Sequence, residues 1–155
     1  MAKRWISALA VLLVAATTVV AADAVEKTMD LKDVKCVVAP RDAQASKSAE
    51  YKEGKVFFCC NGCEGKFAKT PEKFATQANR QLVQTKQYEQ KACPLSGGKL
   101  NPETLITVDG AKVAFCCNNC KGKVEGTEEK KQAELVFSDK AFSKGFEKKA
   151  EKTDG

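Results

Sequence analysis

The chain contains no histidine. That removes Ser–His and Cys–His nucleophile pairs, and with them the common hydrolytic triads. It also removes haem attachment through a C-x-x-C-H sequence. Carboxylates are frequent but scattered among lysines, as on a solvated helix face, so no acid–base pair stands out. Gly97-Gly98 is too short to cradle a phosphate and reads as a turn. Long apolar runs are missing as well. Ile6 to Val20 is apolar apart from Ser7, Thr17 and Thr18, which is short of the roughly 20 residues that a membrane span needs.

That N-terminal run reads as a secretory signal. Lys3 and Arg4 form a positive n-region, and Val20-Ala21-Ala22 offers small residues for cleavage near Ala22 or Ala24. Residues 1–22 are therefore expected to be a signal peptide, and the mature chain to be periplasmic or secreted. An uncleaved N-terminal anchor is the competing reading. No cysteine lies at the cut to carry a lipid, and Lys3-Arg4 is not a twin-arginine pair. No stable membrane anchor is expected after cleavage. Without Lys3 and Arg4, 24 basic residues face 20 acidic ones, a surplus of four. So mild a surplus favours solubility, and no nucleic-acid partner is expected.

What the chain does have is cysteine: 8 residues in 155. A shift of 57 positions carries Cys36 onto Cys93, Cys59 onto Cys116, Cys60 onto Cys117 and Cys63 onto Cys120. Lys55, Val56, Phe58, Asn61, Gly65 and Lys66 also land on identical residues. The chain is an internal duplication. After a linker over 23–33, the first cysteine unit spans 34–90 with a trailing helix, the second spans 91–150 with a C-terminal helix, and 151–155 form a tail. Units this small bury too little apolar surface to be stable without a metal, a disulfide or a partner.

Both copies share one plan, which predicts an α+β fold. A lone cysteine opens a turn, Cys36-Val37-Val38-Ala39-Pro40 or Cys93-Pro94-Leu95-Ser96-Gly97-Gly98. A hairpin follows. In the second copy Leu105–Val108 and Lys112–Phe115 flank Asp109-Gly110, a dipeptide suited to two positive-φ turn positions. In the first copy Glu50–Lys52 and Lys55–Phe58 flank Glu53-Gly54. Its glycine lies one place later, so a different register or a bulge is expected. A short helical turn should start at the cysteine pair. Thr70 is the expected N-cap, with Pro71 at the first helical position, of a helix bearing Phe74, Ala75, Ala78, Leu82 and Val83 and running to about Tyr88. Thr127 is the expected cap before Glu128-Glu129, and Leu135, Val136, Phe137, Phe142 and Phe146 form the last apolar set. The phenylalanines read as core.

Per copy the cysteines run C-x(22)-C-C-x(2)-C. Sulfurs at a strand-to-helix turn, closed by one from a distant turn, suit one tetrahedral thiolate-bound ion. Neighbouring residues of a strand point to opposite faces, so the doubled cysteine cannot lie flat in the sheet and share an ion. Cys36, Cys59 and Cys63 are the expected primary ligands, with Cys60 as fourth; Cys93, Cys116 and Cys120 match them, with Cys117 as fourth. The expected cofactor is a zinc or copper(I) ion, one per unit. Two other readings compete. Export and an even cysteine count fit a disulfide-stapled interaction module. Cys60-Asn61-Gly62-Cys63 and Cys117-Asn118-Asn119-Cys120 also fit the C-x-x-C of a thiol–disulfide oxidoreductase, although each repeat is short for such a domain.

The second copy, with Cys93-Pro94-Leu95-Ser96-Gly97, Asn101-Pro102-Glu103 and Lys112 to Cys120, resembles the YHS and TRASH group of small metal-binding domains. Cys36, Cys59 and Cys63 fit the TRASH spacing, as do Cys93, Cys116 and Cys120, and the first copy carries the family's tail, Phe67 followed by Pro71-Glu72-Lys73-Phe74. The resemblance covers nearly all of the mature chain. It implies two tandem treble-clef-like units of turn, hairpin and helix around zinc. It also implies metal sensing, trafficking or resistance, and it does not imply an enzyme; the partners expected are the metal ion and another envelope protein, and no enzymatic activity is expected. The first copy departs at Val37 and Ala39, where the second has Pro94 and Ser96, and the second departs at Val124, where the family has an aromatic residue.

Overall fold

A computed structural model describes residues 29–150. The expected signal peptide, most of the linker and the tail 151–155 lie outside the described residues. The fold is α+β, as the duplicated plan predicts. Strands β1 (Gln44–Tyr51) and β2 (Gly54–Phe58) form one antiparallel hairpin, and β4 (Asn101–Val108) and β5 (Ala111–Phe115) form the other. Each hairpin runs through its cysteine pair into a helix, α1 (Asn61–Lys69) or α3 (Asn118–Glu125). A 3-10 turn (Pro71–Phe74), α2 (Ala75–Gln84) and β3 (Tyr88–Gln90) connect the copies. Helices α4 (Glu129–Phe137) and α5 (Asp139–Gly145) and strand β6 (Phe146–Lys148) end the described chain.

The two hairpins have the same register, contrary to the difference expected from the displaced glycine. Tyr51 pairs with Gly54 and Ala49 with Val56; Val108 pairs with Ala111 and Ile106 with Val113. The irregularity expected near the first hairpin occurs in both, between Gln44 and Ser48 and between Asn101 and Ile106. The second turn uses Asp109 (φ 46°) and Gly110 (φ 81°), the paired positive φ of a tight hairpin. The first turn places Lys52 at φ 54° instead. Gly54 already belongs to β2, where a side chain would collide with Leu82 at 2.8 Å and Gln87 at 2.7 Å. Its absent side chain serves packing, not the turn.

Ala75, Ala78 and Leu82 of α2 are buried as the apolar stripe predicts, with Phe74 and Val83 half-buried beside them. The helix stops at Gln84 rather than near Tyr88, because Lys86 takes a positive φ of 58° and Tyr88 enters β3. Thr70 holds the N-cap position with Pro71 at the first helical position, but of the short 3-10 turn and not of α2 itself, and Thr127 does not cap α4. Thr70 makes no side-chain cap bond, and its hydroxyl turns back to the Lys66 carbonyl. Thr127 donates to the Lys123 carbonyl at 2.8 Å, closing α3, while Glu128 holds the cap position of α4. Both hydroxyls bond carbonyls in the last turn of the preceding helix, where intrahelical partners run out. The last apolar set is not one helix either: extended Ser138 breaks it, and Phe146 lies in β6.

The copies share one continuous core, in which α2 of the first copy packs against α4, α5 and β5. Strand β3 pairs with β6, joining the connecting segment to the C-terminal end. Phe58, Phe67, Phe115, Phe137 and Phe142 are buried, and Phe74 is half-buried. Polar ties cross the junction. The Asn79 amide donates to the Phe137 carbonyl at 2.8 Å and to Asp139 at 2.9 Å, and Arg80 pairs with Asp109.

Candidate metal centres

Each lone cysteine opens a knuckle closed by a backbone hydrogen bond. The Cys36 N–H donates to the Arg41 carbonyl at 2.7 Å, and the Cys93 N–H donates to the Gly98 carbonyl at 2.9 Å. The departures at Val37 and Ala39 therefore leave this closing bond intact. At the other end of the hairpin the chain leaves the strand with Cys60 (φ −163°, ψ 163°) and Cys117 (φ −162°, ψ 168°) as extended N-cap residues. That conformation resolves the doubled cysteine. Cys59 and Cys116 turn towards the knuckle, while Cys60 and Cys117 turn outward and are exposed. One helical turn later Cys63 and Cys120 come back to the same point.

The sulfurs of Cys36, Cys59 and Cys63 lie within 4.8 Å of one another, and so do those of Cys93, Cys116 and Cys120. Of the eight cysteines expected to be ligands, six are gathered into two triads; Cys60 and Cys117 stand outside these compact sets. Cys59 lies 3.6 Å from Cys63 and 3.9 Å from Cys60. Cys116 lies 3.7 Å from Cys120 and 3.6 Å from Cys117. Sulfurs placed about 2.3 Å from one ion in a tetrahedral shell are about 3.8 Å apart along each edge. The all-sulfur donor set suits a thiophilic ion, and each triad has one edge close to that length. It supplies no oxygen, so it does not suit magnesium or calcium. All eight cysteines are free, with sulfur separations far above a disulfide bond length.

The knuckles also set the charge of the sites. Burial pushes Cys36 up, but N–H groups of Val38, Cys59 and Ala39 aimed at its sulfur hold it below the ordinary thiol value. Burial likewise opposes ionisation of Cys93, yet the Ser96 hydroxyl and N–H groups of Ser96, Cys116 and Leu95 bring it down to about 7. Cys63 and Cys120 are pushed up to about 12, first by burial and then by neighbouring sulfurs. Each triad thus holds one sulfur disposed to ionise beside one that keeps its proton until a cation displaces it.

Three further residues shape the sites, and the cysteine pattern does not point to two of them. Gln81 of α2 accepts from the Phe57 N–H at 2.6 Å and donates to the carbonyls of Phe57 at 3.0 Å and Lys35 at 2.9 Å. Gln90 of β3 accepts from the Ala114 N–H at 2.9 Å and donates to the carbonyls of Ala114 at 2.7 Å and Ala92 at 3.3 Å. Phe57 and Ala114 are equivalent in the repeat, and so are Lys35 and Ala92. Each glutamine ties the backbone before a lone cysteine to the strand before a cysteine pair. The third residue, Ser96, places its hydroxyl 3.1 Å from the Cys116 sulfur. Its mismatch with Ala39 in the repeat is a sequence signal of a difference between the sites.

No family model, curated protein or solved structure matches the chain.

Proposed function

We propose that this chain is an exported protein that holds one zinc or copper(I) ion in each cysteine triad, in the manner of tandem YHS and TRASH domains, for metal trafficking or resistance or to support a contact with another envelope protein. One observation carries the reading: two triads at equivalent places in a duplicated fold, each with one sulfur spacing close to the edge of a thiolate-bound ion. The all-sulfur donor set favours soft or borderline ions. The N-terminal pattern of Lys3, Arg4 and an apolar run supports export. Histidine's absence speaks against hydrolytic and haem chemistry.

Elemental analysis of the native mature protein, purified from its own envelope with thiols counted on the same sample, tests the proposal. About two ions per chain is the expected result, with nearly all cysteines titrating as thiols once metal is removed under denaturing conditions. The element found separates zinc from copper. A metal-free protein with oxidised cysteines would overturn the reading in favour of a disulfide-stapled module.

A further inference from the structure

Cys60 and Cys117 are the cysteines left over once the triads are assembled. Both are exposed, and their neighbours Asn61, Gly62, Asn118 and Asn119 are exposed too. By contrast Cys36 and Cys93 are 3% and 0% exposed, so each site has a closed back and an open front. At that front the Cys60 sulfur lies 3.9 Å from Cys59, and the Cys117 sulfur 3.6 Å from Cys116. Each extra thiol is near enough to reach the ion that the triad would hold, yet it stands in water. A purely structural thiolate site is closed by four fixed ligands. A site that gives up its ion needs a ligand that an incoming thiolate can meet and replace.

We infer that Cys60 and Cys117 are exchange ligands, through which each site passes its ion to a thiolate-bearing acceptor, so that the ions are cargo. This rests on the metal-binding reading above. In the first exchange the acceptor's sulfur bonds to the ion as the Cys60 or Cys117 sulfur leaves, and further acceptor sulfurs then replace the three triad sulfurs in the same way. At each exchange the acceptor thiol releases one proton and the departing cysteine takes one up. No electron moves, and the ion keeps its oxidation state.

The test compares the mature wild-type chain with the Cys60→Ser/Cys117→Ser double variant, both loaded with zinc. Serine is itself a good N-cap residue, so α1 and α3 should persist, and circular dichroism checks that they do. With serine in place of each exchange ligand, the triads alone are expected to hold the ions, more weakly, and dithiothreitol is expected to take them about ten-fold faster, since its thiolate enters a position that no protein sulfur has to leave. Equal rates to dithiothreitol would overturn the inference. Loss of metal binding by the variant would also overturn it, making Cys60 and Cys117 permanent ligands and leaving the metal reading intact. A wild-type chain that binds no zinc or copper would sink both. Brief alkylation of the loaded wild-type chain gives an independent readout: labelling should fall on Cys60 and Cys117, and labelling spread over the triads would count against the exchange role.

Discussion

In the first copy the glutamine that braces the site comes from a helix; in the second it comes from a strand nine residues further on. Under the repeat, Gln81 corresponds to Ser138 and Gln90 to Asp33, so neither glutamine is part of the duplicated pattern. The atoms they satisfy do correspond. A two-stranded hairpin leaves N–H and C=O groups along its outer edges, and a buried edge must find partners for them. The connecting segment supplies those partners for both copies, and Gln87 adds another pair by bonding the N–H and C=O of Lys55. The difference teaches that duplication copied the sites but not their support. A single segment between them came to brace both.

The comparison breaks first at the glutamines. Gln81→Leu roughly keeps the volume of a fully buried side chain and orphans the N–H and C=O of buried Phe57 and the C=O of Lys35. Each orphaned group costs about 1–3 kcal/mol, so a loss of roughly 3 kcal/mol or more is expected in chemical denaturation. Gln90 is half-buried, where water can replace part of what is lost, and Gln90→Leu should cost only about 1–2 kcal/mol. Each variant should weaken metal binding at its own triad more than at the other, as read by titrating each triad in turn in chains whose other triad is replaced by serine. Equal weakening of both triads by either variant would show that the bracing is not site-specific.

A smaller effect is expected at the knuckles. Ser96→Ala removes the hydroxyl 3.1 Å from Cys116 and should lower the second site's affinity by about 3- to 10-fold, the worth of one hydrogen bond. Ala39→Ser should bring the first site towards the second. Competitive titration that found the sites equal in the wild type and unmoved by both changes would remove Ser96 as the source of asymmetry.

The smallest effect concerns the junction. The Asn79 amide first, and Lys52 and Tyr51 after it, hold Asp139 below its ordinary carboxylate value, against partial burial. A carboxylate depressed in the folded state stabilises above the unfolded value, and that contribution fades as pH falls through the folded one. Asp139 is largely exposed, so Asp139→Asn should cost well under about 1 kcal/mol at neutral pH. The difference between variant and wild type should shrink below about pH 4. A gap in melting temperature that widened in acid would reverse the sign and refute the account.

Much of each site was legible because its signals are local. Alternating apolar residues and Asp109-Gly110 specify a hairpin within a few positions, and the doubled cysteine at the strand's end marks where the chain must leave the sheet. The threonines differ from expectation for a local reason as well: Thr70 takes the N-cap position before Pro71 and Thr127 does not cap α4, but both follow one helix as closely as they precede the next, and both hydroxyls bond back to the first. Gly54 looked like a turn residue because close packing against Leu82 and Gln87 cannot be seen from its neighbours in sequence.

The sequence by itself determined the duplication, the α+β plan and the cysteine positions around which each unit is built, since spacing and periodicity act over short stretches of chain. Only the tertiary structure decided that Cys60 and Cys117 face water while their neighbours face the knuckle. It alone brought Gln81 to Lys35, 46 positions away, and merged two units into one core. Those outcomes depend on which buried backbone groups remain unpaired once helices and strands have packed. That demand exists only in the assembled fold, and it is met by whichever polar side chain the fold brings within reach.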